Sequence, residues 1–352
     1  LSFFSFTSGV SAVKLGCKRY KVFFDMEIVG SKMVERIPRL VVVGGTYVDM
    51  AVRCEQMPCS GQSVSGSGLS YSASGHGASQ AVQAGLCGCD VHLVSKVGGD
   101  AFGKMAIDTL TEYHVNTDFV HVTEAMKTGM VITLVNSEGE NAGCVYRGAN
   151  AALCSQDIEA AEHTIAQADA CLIHGALSTD AVVAAVRCCE LHGIPTILNP
   201  ARSIEVAGTI NKELPVDYFA ADVFVCNLYE AAEITETNET NIRAAKLIGS
   251  DLIARGVKTA VITMGSRGCM VVDRERADHV PAFPIELVDK TGSGDSFAGA
   301  FAAYYTVGKV DIIGAVKFAC AAGAITCTRF GTIEAMPTRA EIIEMLQAED
   351  IQ

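Results

Sequence analysis

The sequence predicts an α/β protein: a doubly wound, mainly parallel sheet with helices on both faces, plus a small β-sheet lid. Short continuous β-branched apolar runs recur along the chain, as they do in buried parallel strands. Helical stretches separate them, which is the alternation that builds such sheets. Two Gly/Ser-broken regions interrupt the rhythm with short alternating strands and no room for a helix.

Taken in order, residues 1–36 read as an N-terminal extension outside the fold, with Met33 to Arg36 resembling a natural start before the first strand. No apolar run there reaches the ~20 residues that span a bilayer. Leu40 to Val43 is the first strand, closed by the Gly44-Gly45 turn. Further strands are expected at Val91 to Val94, Ala170 to Ile173, Thr196 to Leu198, Val223 to Val225 and Ala260 to Thr263. Helices are expected at Ala78 to Gly85, Ala101 to Tyr113, Asp157 to Ala166, Asp180 to His192 and Ile242 to Arg255. The main domain is placed at 37–346, with lid strands drawn from about 50–72 and 128–147. A ligand cleft is expected between lid and strand ends.

A formal charge of −13, with no Lys or Arg run, argues against a nucleic-acid partner. A small phosphorylated ligand remains compatible, because a few amides at one helix end bind an anion against the overall charge. Fourteen cysteines without a CxxC pair read as free thiols of a reducing cytoplasm. No membrane partner is expected.

The strongest chemical signal is Leu287-Val288-Asp289-Lys290-Thr291-Gly292-Ser293-Gly294-Asp295-Ser296-Phe297, followed by an Ala-rich helix to about Thr306. Gly292 and Gly294 allow a tight turn, so that the amides of Gly292, Ser293 and Gly294 can face one anion at the helix start. Asp295 then sits beside that anion. A carboxylate there is repulsive unless it has work, and accepting a proton from an attacking hydroxyl is such work. The plain alternative is a helix cap.

That segment resembles the second signature of the ribokinase-like (PfkB) carbohydrate kinases, and Gly75-His76-Gly77-Ala78-Ser79-Gln80-Ala81 resembles the first. Gly98 to Gly103, Gly148 to Leu153, Leu198 to Ala201, Asn227 with Glu230, and Thr263 to Gly268 match in order between them. The resemblance covers roughly Leu40 to Leu346. It implies transfer of the ATP γ-phosphate to a sugar hydroxyl, D-ribose first and another sugar or a nucleoside second, with Asp295 as base and Gly292, Ser293 and Gly294 as anion hole. Asp49, Gly75, His76, Gly77 and Ser79 would line the sugar. Asn227, Thr263, Gly265, Gly268, Gly294 and Cys320 would face the nucleotide. Glu230 would hold Mg²⁺, directly or through water, although Asn227-x-x-Glu230 is equally a helix N-cap with a first-turn acid. Asp289, Thr291, Arg329 and Gly331 would surround K⁺, partly by carbonyls, and a homodimer would form through the lid.

Several positions depart from the ribokinase pattern. Tyr47 stands for Asn, His76 for Lys, Ser79 for Asn, Ala176 for Glu, Lys290 for Thr, Cys320 for Asn and Ala335 for Ser. The altered sugar contacts leave the acceptor open. A non-catalytic sugar-binding protein on the same fold is one rival. A dehydrogenase is another, since Val41 to Gly45 resembles a dinucleotide-binding turn, but Tyr47 and Val48 fill the space GxGxxG keeps open.

Overall fold

The computed structural model describes residues 26–29, 32–138, 140–200, 214–306 and 311–349. In chain order the strands are β1 (Met26–Val29), β2 (Lys32–Glu35), β3 (Arg39–Val43), β4 (Tyr47–Cys54), β5 (Gly66–Ser74), β6 (Asp90–Gly98), β7 (Val120–Thr123), β8 (Gly129–Val135), β9 (Asn141–Tyr146), β10 (Ala170–His174), β11 (Thr196–Asn199), β12 (Val223–Asn227), β13 (Thr259–Thr263), β14 (Cys269–Val272) and β15 (Ala277–Val280). The α-helices are α1 (His76–Leu86), α2 (Ala101–Glu112), α3 (Ser155–Ile165), α4 (Thr179–His192), α5 (Leu228–Ile234), α6 (Ile242–Arg255), α7 (Ser293–Tyr305), α8 (Ile312–Cys327) and α9 (Arg339–Glu349).

Nine strands form the body in the order β15-β14-β13-β12-β11-β10-β3-β6-β7. All pairs are parallel except β13–β14 and β14–β15. Alternation along β3 sorts the core into two halves. Leu40 and Val42 join α1, α7 and α8 on one face, whereas Val41 and Val43 join α3, α4 and α6 on the other. Strands buried on both faces need no polar alternation, which is why these runs are apolar throughout.

The chain leaves β3 toward β6 on one side, while β10 pairs on the other. The loops after β3 and β10 therefore diverge and open a crevice at this switch point. His174 ends β10 and Gly44 follows β3, so both stand at its floor.

The lid is a separate sheet in the order β5-β4-β8-β9, with β4 and β8 parallel. A small apolar cluster of Val48, Ala73 and Ala106, with Phe102 and Met105 of α2, ties it to the body. The Asp100 carboxylate adds a polar tie: it caps α2 at the Gly103 amide and accepts both the amide and the hydroxyl of Thr128, just before β8.

All six expected strands and all six expected helices, the Ala-rich α7 included, are found, and the separate sheet is made of β4, β5, β8 and β9. The antiparallel edge β14–β15 and helices α8 and α9 were not foreseen. Part of the 1–36 stretch, taken as lying outside the fold, forms an element: β1 and β2 pair as an antiparallel ribbon of their own. Residues 1–25 and Ala201 of the Leu198 to Ala201 match lie outside the described residues.

Candidate active site

Helix α7 begins where its sequence permits. Gly292 caps it at φ 76°, a conformation that a side chain strongly disfavours. A Cβ built on Gly294 would meet nothing within 4 Å, so the helix start faces open space. Beneath it, a buried hydroxyl chain locks three helices together: Thr326 donates to Ser296, Ser296 to Gln83 Oε1, and Gln83 Nε2 to the Pro337 carbonyl. The start of α7 is thus fixed against α1 and α8 before any ligand arrives.

Asp295 lies in the first turn of α7, its side chain 12% exposed. Gln80 Nε2 donates to its Oδ1 at 2.9 Å, and His76 Nδ1 stands 3.0 Å from each carboxylate oxygen. Turning its amide toward Asp295 leaves Gln80 Oε1 buried without a partner. The Asp295 carboxylate is the main cause that pushes the His76 imidazole up to about 9, against the opposing effect of burial. His76 is 55% open to the cleft by surface area, so water screens part of this attraction. Burial raises the carboxyl of Asp49 on β4, partly offset by a Ser74 hydrogen bond and the His76 charge. It also raises Glu230, against the Asn227 amide and His76.

On the lid side, Arg147 donates to the Tyr47 hydroxyl and, through Nη2 at 3.3 Å, to the carbonyl of Ala176, two residues past His174. Tyr47 packs between glycines: a Cβ at Gly45, Gly75 or Gly129 would lie under 3.0 Å from its ring. Beneath that ring Asn150 accepts the Thr46 amide and donates to the Thr46 carbonyl, fixing the turn after β3.

On the far side, Asn227 and Thr263 are register partners at the ends of β12 and β13. Asn227 and Glu230 form a reciprocal capping box on α5: Asn227 Oδ1 accepts the Glu230 amide at 2.9 Å, and Glu230 Oε2 accepts the Asn227 amide at 3.0 Å. The local alternative read from the sequence is therefore realised, whatever else the pair does. Gly265 and Gly268 flank the turn after β13, and a Cβ at Gly265 would meet nothing. Cys320 lies in α8 against the apolar core, where burial pushes its thiol up to about 12.

The structure brings Asp49, Glu230 and Asp295 within electrostatic reach of His76. It also brings Asp289 and Gly331 together: Asp289 Oδ1 accepts the amide and hydroxyl of Thr291, and Oδ2 lies 3.5 Å from the Gly331 amide. Two expectations need correction. Ser79 is 2% exposed and offers the cleft almost no surface, because α1 turns it inward. Gly75 and Gly77 were read as making room for a ligand, but the protein itself fills that room: a Cβ at Gly77 would lie 2.3 Å from the Gly44 carbonyl carbon, and one at Gly75 2.7 Å from the Gly45 oxygen. The Arg329 side chain pairs with Glu341, which leaves untouched the backbone carbonyl expected to face K⁺. Gln80, Arg147 and His174 were not singled out for chemistry; only Gln80 carried a signal, as a member of the Gly75 to Ala81 motif.

Fold and site define an α/β protein with a switch-point cleft, a separate β lid, and an acid paired with an imidazole at an open helix start. A family model described as pfkB family carbohydrate kinase matches residues 38–339, and the chain belongs to that family. It is similar to a ribokinase of Mus musculus, 32% identical over 272 residues, covering 77% of this chain and 82% of that protein. It is also similar to a deoxyribokinase of Salmonella typhi, 29% identical over 312 residues, covering 88% and 99%. A solved structure of Arabidopsis thaliana ribokinase complexed with ribose and ATP matches at TM-score 0.80 and 26% identity, covering 89% of this chain and 99% of that one. No helix among the described residues is long and apolar enough to cross a membrane.

Proposed function

We propose that this chain is an ATP-dependent kinase that moves the γ-phosphate to a sugar hydroxyl, with D-ribose as first acceptor and ribose 5-phosphate as product. The carrying observation is Asp295, held by Gln80 and His76 at the open start of α7. Asp295 takes the proton of the attacking hydroxyl as the new P–O bond forms and the bond to the ADP leaving oxygen breaks. The amides of Gly292, Ser293 and Gly294, aided by the helix dipole, take up charge on the transferring group. Asp49 accepts sugar hydroxyls, and Thr263, Gly265 and Gly268 form the nucleotide side with Cys320. Support for ribose comes from the relatives and from the Gly148 to Leu153 and Ala78 to Ala81 segments.

Glu230, whose carboxylate is partly buried within electrostatic reach of His76 and Asp295, would hold Mg²⁺ directly or through water, and the ion would supply neutralisation of the triphosphate charge. Among the described residues no three His, Cys, Asp or Glu side chains converge to form a metal cage of their own. Asp289, with carbonyls of Thr291, Arg329 and Gly331, would hold K⁺ behind the anion hole. The lid face opposite Asp49 presents exposed Leu69, Tyr71 and Ile132, which supports a homodimer through the lid. The free thiols support a cytoplasmic home.

A second acceptor class is favoured by one observation. The Arg147 guanidinium is half-buried at the sugar end without an acid partner among the described residues, and Ala176 removes the carboxylate of the ribokinase pattern from beside it. A sugar carrying a carboxylate would pair with it. ADP release measured against D-ribose, 2-deoxyribose, nucleosides and sugar acids decides. Ribose turnover with a KM in the ~1 μM to 1 mM range supports the first reading. Turnover of a sugar acid alone, lost in Arg147→Leu, replaces it, and no turnover of any acceptor sinks the kinase reading.

A further inference from the structure

The cleft contains an imidazole pair. His174, at the end of β10, is 2% exposed, and its ring lies 4.3 Å centroid to centroid from His76, tilted only 19° from parallel. Two imidazolium ions would repel strongly at that spacing, so at most one ring carries a charge. The geometry says which. His174 Nδ1 accepts the Ala176 amide at 3.3 Å, so its ring proton is on Nε2 and the ring is neutral. Burial, and then the His76 charge, hold its basicity well below the ordinary histidine value. His76 has its Nδ1 between the two oxygens of Asp295, whose negative charge favours the protonated ring, so His76 is the member placed to carry the charge.

We propose that His174 is a positioning residue: its buried neutral ring is the platform that keeps the His76 imidazolium on Asp295, and so keeps the carboxylate aimed at the acceptor hydroxyl. This rests on the reading of Asp295 as the base. A half-exposed histidine would otherwise be free to swing into the open cleft, and a stacked neutral ring removes that freedom without competing for the carboxylate. The charge held there also offsets repulsion between Asp295 and the phosphoryl oxygens. Four groups face His76 from the elements around it: Asp295 from α7, Glu230 from α5 and Asp49 from β4, all acids, and the neutral His174 from β10. Three acids around one imidazole favour its charged form, and the platform decides where that charge sits.

The test uses His174→Leu, which fills the space without a flat π face, and His174→Phe, which restores the face without the ring nitrogens. The His76 ring is followed by NMR in the full chain, and kcat and KM are measured on the same samples. In the wild type the His76 titration should centre well above the ordinary ~6.5. In His174→Leu it should fall toward the ordinary ~6.5, kcat should drop about tenfold as expected of a displaced catalytic group, and KM for ATP should stay within about twofold. His174→Phe should recover most of both. An unchanged His76 titration in His174→Leu overturns the proposal, and so does a phenylalanine variant as impaired as the leucine one, which would assign the effect to the Ala176 hydrogen bond. Should the leucine variant not fold, the wild-type titration still judges: a centre near 6.5 means that His76 is not held on Asp295. Absence of turnover with every acceptor would sink the kinase reading and leave the titration to decide on the platform.

Discussion

Asp295 could act as a proton acceptor or merely as a first-turn acid on α7, and one substitution separates the two. Asp295→Asn keeps the shape, and with it the Gln80 and α7 packing, but removes the basic oxygen. Turnover should fall by the ~10² to 10⁴ typical of a general base while the ATP dissociation constant changes little. An Asn variant retaining a third of wild-type kcat would mean that the carboxylate is only a cap. Asp295, Gly292 and Gly294 were legible in the sequence because their relation is local: a turn, a helix start and one acid. His76 was legible as a cleft residue but not as the partner of Asp295, which lies 219 positions away. His174 and Arg147 stood in segments that read as a strand end and a loop, and only the convergence of β10, the lid and α1 gives them a setting. Ser79 failed for the converse reason, since a motif gives position in sequence and the pitch of α1 decides which way a side chain faces.

At the scale of elements, local signals worked wherever a period or a cap was present. The two-faced burial of β3 follows from its unbroken apolar run, and Asn227 with Glu230 forms the box its spacing allows. Helix α8 escaped because it is apolar nearly all round, with most of its residues in the core and no polar stripe to mark a period. Helix α9 has a readable start: Glu341 Oε2 accepts the amide and hydroxyl of Thr338, and its other oxygen pairs with Arg329. These bonds, the Thr338 amide first, hold the Glu341 carboxyl at about 2 against an ordinary 4.5. Because the folded value is depressed, this stabilisation is fully present above pH 4.5 and fades as pH falls toward 2. Glu341→Gln should lower the melting midpoint at pH 7 and flatten its decline in acid; parallel wild-type and variant curves across that window would refute the assignment. The turn before α7 makes a second prediction. If Asp289 helps to hold K⁺, activity at equal ionic strength should rise severalfold from Na⁺ to K⁺, and the rise should vanish in Asp289→Ala. Equal rates in both salts would mean that the Thr291 and Gly331 contacts alone hold the loop, or that Lys290 supplies the charge.

For the whole molecule, the exposed lid residues Leu69, Tyr71 and Ile132 share the face turned from Asp49, since Met50 pairs with Tyr71 and Ile132 while Asp49 pairs with Ser72 and Val131. A contiguous exposed apolar strip is the kind of surface that association would cover. Sedimentation should find a dimer that Leu69→Lys with Ile132→Lys converts to monomer; a monomeric wild type at micromolar concentration would leave the strip without that role. The same sheet bears on how the protein assembles itself. Strands β4 and β8 pair in parallel across an interval that contains β6, α2 and β7, and the junction relies on Asp100 of the α2 cap and on a cluster of only three fully buried side chains. Closing so long a loop costs entropy before any contact compensates it, and that compensation needs α2 already seated on the body. The lid should therefore be a late arrival during refolding. In pulse-labelled exchange, amides of β3 and β10 should gain protection first and those of β8 in a slower phase, so that for a time the chain has a finished body and no roof over its cleft.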